Sequence, residues 1–162
     1  MKPRLNCLLE MTITRTINAP VGQVWQAWSE AERLKRWWGP TGFTAPVVNV
    51  DFREGATSLV AMRSPDGHDM YNLWAYSKIE PMQRIELTQY WSDPNGNKVK
   101  PADIGFPADL PYAVPHVLTF KALSNDKTEL TITESGYTSA QHVEMSEAGM
   151  GQCLDKLADS LK

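Results

Sequence analysis

The sequence predicts an α+β fold: a curved antiparallel sheet of about six or seven strands gripping one long C-terminal helix. Three observations predict it. Between residues 47 and 135, apolar and β-branched runs recur with short turn-forming breaks, and short connections make antiparallel neighbours. The segment after Thr138 keeps a helical period to the end of the chain. Two short helical patterns follow the first strand. A sheet this long must cover one apolar face, and the last helix is the only element long enough to do so.

The elements follow in order. "MTITRTI" (11–17) alternates and is β-branched, which reads as a strand. "NAP" opens a helix, and Pro20 fits its first turn, where the missing N–H has no partner to lose. Val21, Val24, Trp25 and Trp28 recur at helical spacing and mark a core face. Ser29, with Glu32 three residues on, predicts a capping box and a second short helix running to Trp38. Gly39 suits the left-handed position past its end, and Pro40 stops it. Leu34, Trp37 and Trp38 then share one face, with Trp37 in the core and Trp38 nearer a cavity mouth.

Strands follow over 47–52, 56–62, 69–79, 83–91, 115–123 and 128–135. Their breaks carry "REG", "SPDG", "EP", "DPNGN" and "SNDK". Residues 98–113 have no period and three prolines; a loop of that length in a compact domain is functional or mobile. In the final helix, Thr138 with Gln141 predicts the cap. Val143, Met150, Leu154, Leu157 and Leu161 form the apolar stripe. Residues 1–10 read as a loose extension, and 11–162 as one domain.

Composition narrows the function. The 162 residues suffice for one domain with a real core. A net charge of −3 and no basic stripe argue against a nucleic-acid or anionic-membrane partner. No stretch approaches a transmembrane span, and the first eleven residues are too weakly apolar for a signal peptide. Cys7 and Cys153 lie far apart with no CxxC. That gives neither a disulfide framework nor a zinc site, and points to a reducing cytoplasm. His68, His116 and His142 are not at metal-ligand spacing, so no metal and no cofactor is expected. There is no HExxH, GxSxG, P-loop or GxGxxG.

One site could still assemble across strands. If the last hairpin turns around Asn125, Phe120 faces Leu130, Leu118 faces Ile132, and His116 faces Glu134, all on the core face. A His116–Glu134 pair there could orient the imidazole as a base or donor. Equally, both could sit at the sheet margin, bonding each other or water. Trp74, Tyr76, Tyr90 and Trp91 lie on strands, and half should point inward. Phe106 and Tyr112 lie in the long loop, closing over something or packing on their own surface. Gly149 and Gly151 in the helix cost about 1 kcal/mol each against alanine. They leave room for a ligand beside the adaptable Met145 and Met150, or allow close helix–sheet packing.

"ITRTINAPVGQVWQAWSEAERLKRWWGPTGF", "VVNVDFREGA", "MRSPDG" and "GMGQCLDKLADSL", in this order, resemble the heat-shock-protein-90 ATPase activator homologue-like proteins. Those belong to the START-like, SRPBCC or Bet v 1-like superfamily with the helix-grip fold. The resemblance runs from about residue 12 to the end. It implies a cavity between sheet and long helix for a small apolar or amphipathic ligand, and no fixed enzymatic activity. The eukaryotic activator binds its chaperone partly through a separate N-terminal domain, for which this chain has no room, so ATPase activation is not expected. The chain departs from relatives at Trp74, where many carry glycine, which bears on cavity size. It departs again in the 98–113 loop, which is longer than usual and could act as a lid.

The leading expectation is therefore a cytoplasmic small-molecule-binding protein. Its ligand would touch Trp38, Phe43, Trp74, Tyr112, His116, Leu118, Phe120, Met145, Met150 and Cys153. Cys153 would serve as a small apolar residue, not as a thiolate. One alternative is a cofactor-free cyclase- or hydrolase-like enzyme using His116 and Glu134. Another is an interaction or stress-response protein with a vestigial cavity. The sheet edges and the proline-rich loop could support a homodimer.

Overall fold

The computed structural model describes residues 8–162. Most of the stretch expected to be a loose extension, together with Cys7, lies outside the described residues. Strand β1 (Leu9–Ile17) begins two residues before the predicted start. It is followed by α1 (Val21–Ser29) and α2 (Ala31–Leu34). Strands β2 (Thr44–Asn49), β3 (Thr57–Arg63), β4 (Asp69–Glu80) and β5 (Arg84–Ser92) come next. A short 3-10 turn (Pro101–Ile104) lies in the long loop. Strands β6 (Ala113–Ser124) and β7 (Lys127–Tyr137) precede α3 (Ala140–Ser160).

The seven strands form one antiparallel sheet in the order β1-β7-β6-β5-β4-β3-β2. From β2 to β7 each strand pairs with the next in sequence, β5 and β6 across the long loop and the others across shorter connections; β1 instead crosses over to pair with β7. Register decides which side chains meet beneath the helix. The last hairpin pairs His116 with Glu134, Leu118 with Ile132 and Phe120 with Leu130, the register expected from its turn. All six are buried, so this is the inner face. On β4 and β5 the same face carries Asn72, Trp74 and Tyr76, with Asn72 opposite Trp91 and Trp74 opposite Gln89.

Three local expectations need correction. The predicted strand 47–52 runs instead over Thr44–Asn49, because Asp51 leaves the ladder: its N–H donates to Ser58 Oγ and its carboxylate pairs with Arg53. Ser29 does not cap α2. It is still inside α1, whose last bond runs from the Glu30 N–H to the Gln26 carbonyl. Glu30 takes the extended cap position, and its carboxylate holds Arg33 at 3.0 Å. At α3 the cap is Ser139, whose Oγ accepts from Gln141 N–H; the neighbouring Thr138 hydroxyl is turned away to the Asp109 carbonyl.

Helical turns continue past α2, with Trp38 N–H bonded to the Leu34 carbonyl. The chain then reverses at Gly39, with φ +103. A Cβ there would sit 2.8 Å from Phe43 Cβ, so only glycine fits. The 39–43 loop is fastened to α3 from the other side. Lys156 Nζ donates to the carbonyls of Gly39, Pro40 and Phe43 at 2.9, 3.3 and 3.0 Å. Gln152 Oε1 accepts from Thr41 N–H.

Trp25, Trp28, Trp37, Trp38 and Trp74 are all buried. Trp28 meets Trp37 at 4.7 Å and Trp74 at 5.9 Å, and Trp38 stands edge-on to Trp74 at 4.8 Å. Trp25 packs on Phe120 at 5.0 Å. Such edge-to-face pairs add about 0.5–1.5 kcal/mol each beyond burial. Trp37 Nε1 donates to the Ala27 carbonyl. The indole N–H groups of Trp28 and Trp38 are buried and find no acceptor among the described residues. The C-terminal half of α3 completes the core through Met150, Cys153, Leu154 and Leu157. No helix among the described residues is long and apolar enough to cross a membrane.

Candidate functional site

The aromatic wall does not fill the whole space beneath α3. Where β4 begins, β5 ends, β6 begins and β7 ends, a cavity of about 610 Å³ remains. Its apolar lining comes from Trp38, Met62, Met70, Trp91, Phe106 and Met150. The N-terminal half of α3 roofs it, and the long loop closes one side.

That loop is fastened in place. The Phe106 ring stacks on Trp91 at 4.7 Å, and Trp91 Nε1 donates to the Pro111 carbonyl. Asp109 reaches α3, with its Oδ1 3.1 Å from His142 Nε2. Residues 98–113 therefore form a wall of the cavity, held at both the sheet and the helix.

The polar side of the cavity is built on Glu134. Its Oε2 lies 3.0 Å from His116 Nε2, and its Oε1 accepts from Tyr137 Oη at 2.5 Å and from Ser146 Oγ. His116 Nδ1 lies 2.8 Å from the Val114 carbonyl. A carbonyl can only accept, so Nδ1 carries a proton; Nε2 faces a carboxylate and carries the other. Burial disfavours charge on this ring, but Glu134 and the Val114 carbonyl outweigh burial and hold His116 above its ordinary pKa. Burial likewise opposes charge on Glu134, yet His116, Ser146 and Tyr137 pull its carboxyl down to about 2. The pair is thus an imidazolium beside a carboxylate, both buried.

This arrangement suits anchoring better than proton transfer. A carboxylate held near 2 is a weak base, and an imidazolium with both protons committed is a poor acid. His116 itself sits behind Glu134 and does not line the cavity. Cys153 lines it, but burial raises its thiol to about 11, which leaves it inert as a nucleophile. Among the described residues, no three of His, Cys, Asp and Glu gather closely enough to hold a metal ion.

Of the residues expected to touch a ligand, Trp38, Met145, Met150 and Cys153 line the cavity, and so does Glu134. Five others do not. Leu118 and Phe120 lie deeper in the core. Trp74 is covered by Trp38 and gives its N–H to Gln89 Oε1. Tyr112 points outside, against Tyr90 at 5.7 Å, and is nearly half exposed. Phe43 stays at the loop beneath Lys156. The helix glycines divide between the two uses foreseen. Gly149 lines the cavity, whereas Gly151 lets α3 approach β1, where a Cβ would come within 3.0 Å of Arg15.

Met62, Met70, Gln89, Tyr137 and Ser146 belong to the site but were not singled out, and Trp91 is one of the strand aromatics that line it. The two methionines had a signal: they flank the "SPDG" turn symmetrically and pair across it. Tyr137 and Ser146 had none, because they meet only where α3 crosses the end of β7.

A curved antiparallel sheet closed by a long C-terminal helix, with a cavity between them, defines the helix-grip class. A family model described as "Activator of Hsp90 ATPase homolog 1-like protein" matches residues 18–162, and the chain belongs to that family. No curated protein matches it. Several solved structures share the fold. A solution structure from Arthrobacter aurescens is 25% identical, with TM-score 0.77, covering 94% of this chain and 86% of that one. A crystal structure from Chromobacterium violaceum is 24% identical, with TM-score 0.76, covering 94% and 96%. The AHSA1 protein from Silicibacter pomeroyi is 17% identical, with TM-score 0.76, covering 94% and 97%.

Proposed function

We propose that this protein binds a small apolar or amphipathic molecule in the cavity between the sheet and α3. The observation that carries the reading is the cavity itself: about 610 Å³, walled by tryptophan, phenylalanine and methionine, with one buried polar cluster. Ligand sites combine just such an apolar lining with few placed polar groups, and span about 300–1,000 Å³. A vestigial cavity would fall below that range. The four methionines Met62, Met70, Met145 and Met150 lend the lining adaptability to ligand shape. The committed protons of His116 and the low pKa of Glu134 favour holding a ligand over transforming it.

Gly149 offers the test. It lines the cavity, and a Cβ there meets nothing closer than 3.9 Å. Gly149→Phe should fill the space without disturbing the helix backbone. Nile red, a neutral apolar dye, should brighten with the wild-type protein and not with the variant, at equal thermal stability. Equal brightening by both would remove the cavity as the binding site.

A further inference from the structure

We infer that the ligand presents a hydrogen-bond donor, a hydroxyl or phenol, on an apolar body, and that this cavity rejects carboxylates. The inference rests on the binding reading above and names its chemistry. It follows from counting protons at the polar wall. A tyrosine or serine hydroxyl has one proton to give. Tyr137 and Ser146 both aim theirs at Glu134 Oε1, with Tyr137 Oη also 3.1 Å from Ser146 Oγ. His116 spends one N–H on Glu134 Oε2 and the other on Val114. The donors of the cluster are therefore used internally. What remains to a ligand there is lone pairs: on Ser146 Oγ, Tyr137 Oη and the second site of Glu134 Oε2.

The opposite wall does not reverse this. Trp74 Nε1 can only donate, so the Gln89 atom facing it at 3.1 Å is the oxygen. Its amide nitrogen and the indole N–H of Trp38, unpartnered among the described residues, are neutral donors, too weak to hold an anion in an apolar site. Asn72 contributes a further acceptor, its nitrogen lying 3.4 Å from the Tyr90 carbonyl. Among the described lining residues, none is lysine or arginine, while Glu134 and Asp109 are both acids. A carboxylate entering the cavity would meet Glu134, whose partner cation His116 is already spent on it, leaving no further cation for the newcomer. A protonated amine is also a donor, but His116 already balances Glu134, so it would bring an uncompensated charge into an apolar space. A neutral hydroxyl avoids both costs.

One skeleton with different polar groups tests this. Naphthalene, naphthol, naphthoate and naphthylmethylammonium are titrated into the full-length protein at neutral pH, by calorimetry and by quenching of tryptophan fluorescence. Naphthol should bind about tenfold more tightly than naphthoate, and more tightly than naphthalene, as one satisfied hydrogen bond requires. In Ser146→Ala, the advantage of naphthol over naphthalene should shrink while naphthalene binding stays the same. If naphthoate binds as well as naphthol, the proton count is wrong although the cavity still binds. If naphthalene and Nile red both fail to bind, the cavity reading falls and this inference falls with it.

Discussion

Replacing Glu134 by glutamine is the sharpest test of the buried pair. Glutamine matches a protonated glutamate: same shape, one oxygen acceptor, no charge. The substitution therefore removes what ionisation contributes, and the pKa displacement measures that contribution. The carboxyl moves from its ordinary 4.5 to about 2. At about 1.4 kcal/mol for each pH unit, this is about 3 kcal/mol of stability. Breaking a buried ion pair by other routes costs about 3–5 kcal/mol, so the two arguments agree. A folded pKa below the unfolded one stabilises above pH 4.5, and that contribution is lost as pH falls from there towards 2. At neutral pH the full effect applies. In urea unfolding followed by tryptophan fluorescence, Glu134→Gln should lose about 3 kcal/mol with an unchanged denaturant slope. Its Tm should fall by about 6–12 °C, as suits a chain of this length.

His116 sets the sign of the pH trend. In the wild type its folded pKa is raised, so its stabilisation is fully present below the unfolded value of 6.5 and fades as pH rises through the folded one. Without the carboxylate, burial dominates and disfavours the imidazolium in the folded state. The gap between wild type and variant should therefore widen between pH 7 and 5.5. A loss below about 1 kcal/mol at pH 7, or a gap that narrows on acidification, would refute the assignment of a charged pair.

Three further outcomes follow from the fold. Gly39→Ala forces a Cβ onto φ +103 and within 2.8 Å of Phe43; it should cost at least about 2 kcal/mol in urea unfolding, and a neutral result would mean the loop can re-form without its left-handed turn. Lys156→Met keeps the aliphatic stem but removes the donor that ties three carbonyls together, of which Pro40 alone keeps a second donor, the Phe43 N–H. It should cost about 1–3 kcal/mol and speed amide exchange over residues 39–43; unchanged exchange would count against the clamp. Trp74→Phe removes the bond to Gln89 and part of the contact with Trp38. A loss of about 1–3 kcal/mol is expected by chemical denaturation, and a stabilised variant would show that the indole is strained there.

The turn around Asn125 shows how much of the site was legible. Its short, polar connection sets the pairing of β6 with β7, and the alternation of Phe120, Leu118 and His116 then places the histidine opposite Glu134 on the inner face. The same reasoning found the stop after Trp38, because Gly39-Pro40 has few backbone options. Capping was less legible. Thr138 and Ser139 are chemically similar, and the Asp109 carbonyl, twenty-nine positions away, decided which of them turned inward. Tyr112 carried no mark of its outward orientation, since a loop without period has no face to assign.

The sequence by itself determined the order of elements, the antiparallel sheet, the covering helix and the His116–Glu134 register. These depend on local period, turn chemistry and a two-residue alternation, all of which are written along the chain. The tertiary structure alone decided that Trp74 lies behind Trp38, that Phe106 and not Tyr112 faces the cavity, and that Tyr137 and Ser146 turn their protons onto Glu134. Those outcomes depend on where α3 and the long loop cross the sheet. That crossing is fixed by packing between segments distant in sequence, and no spacing along the chain encodes it.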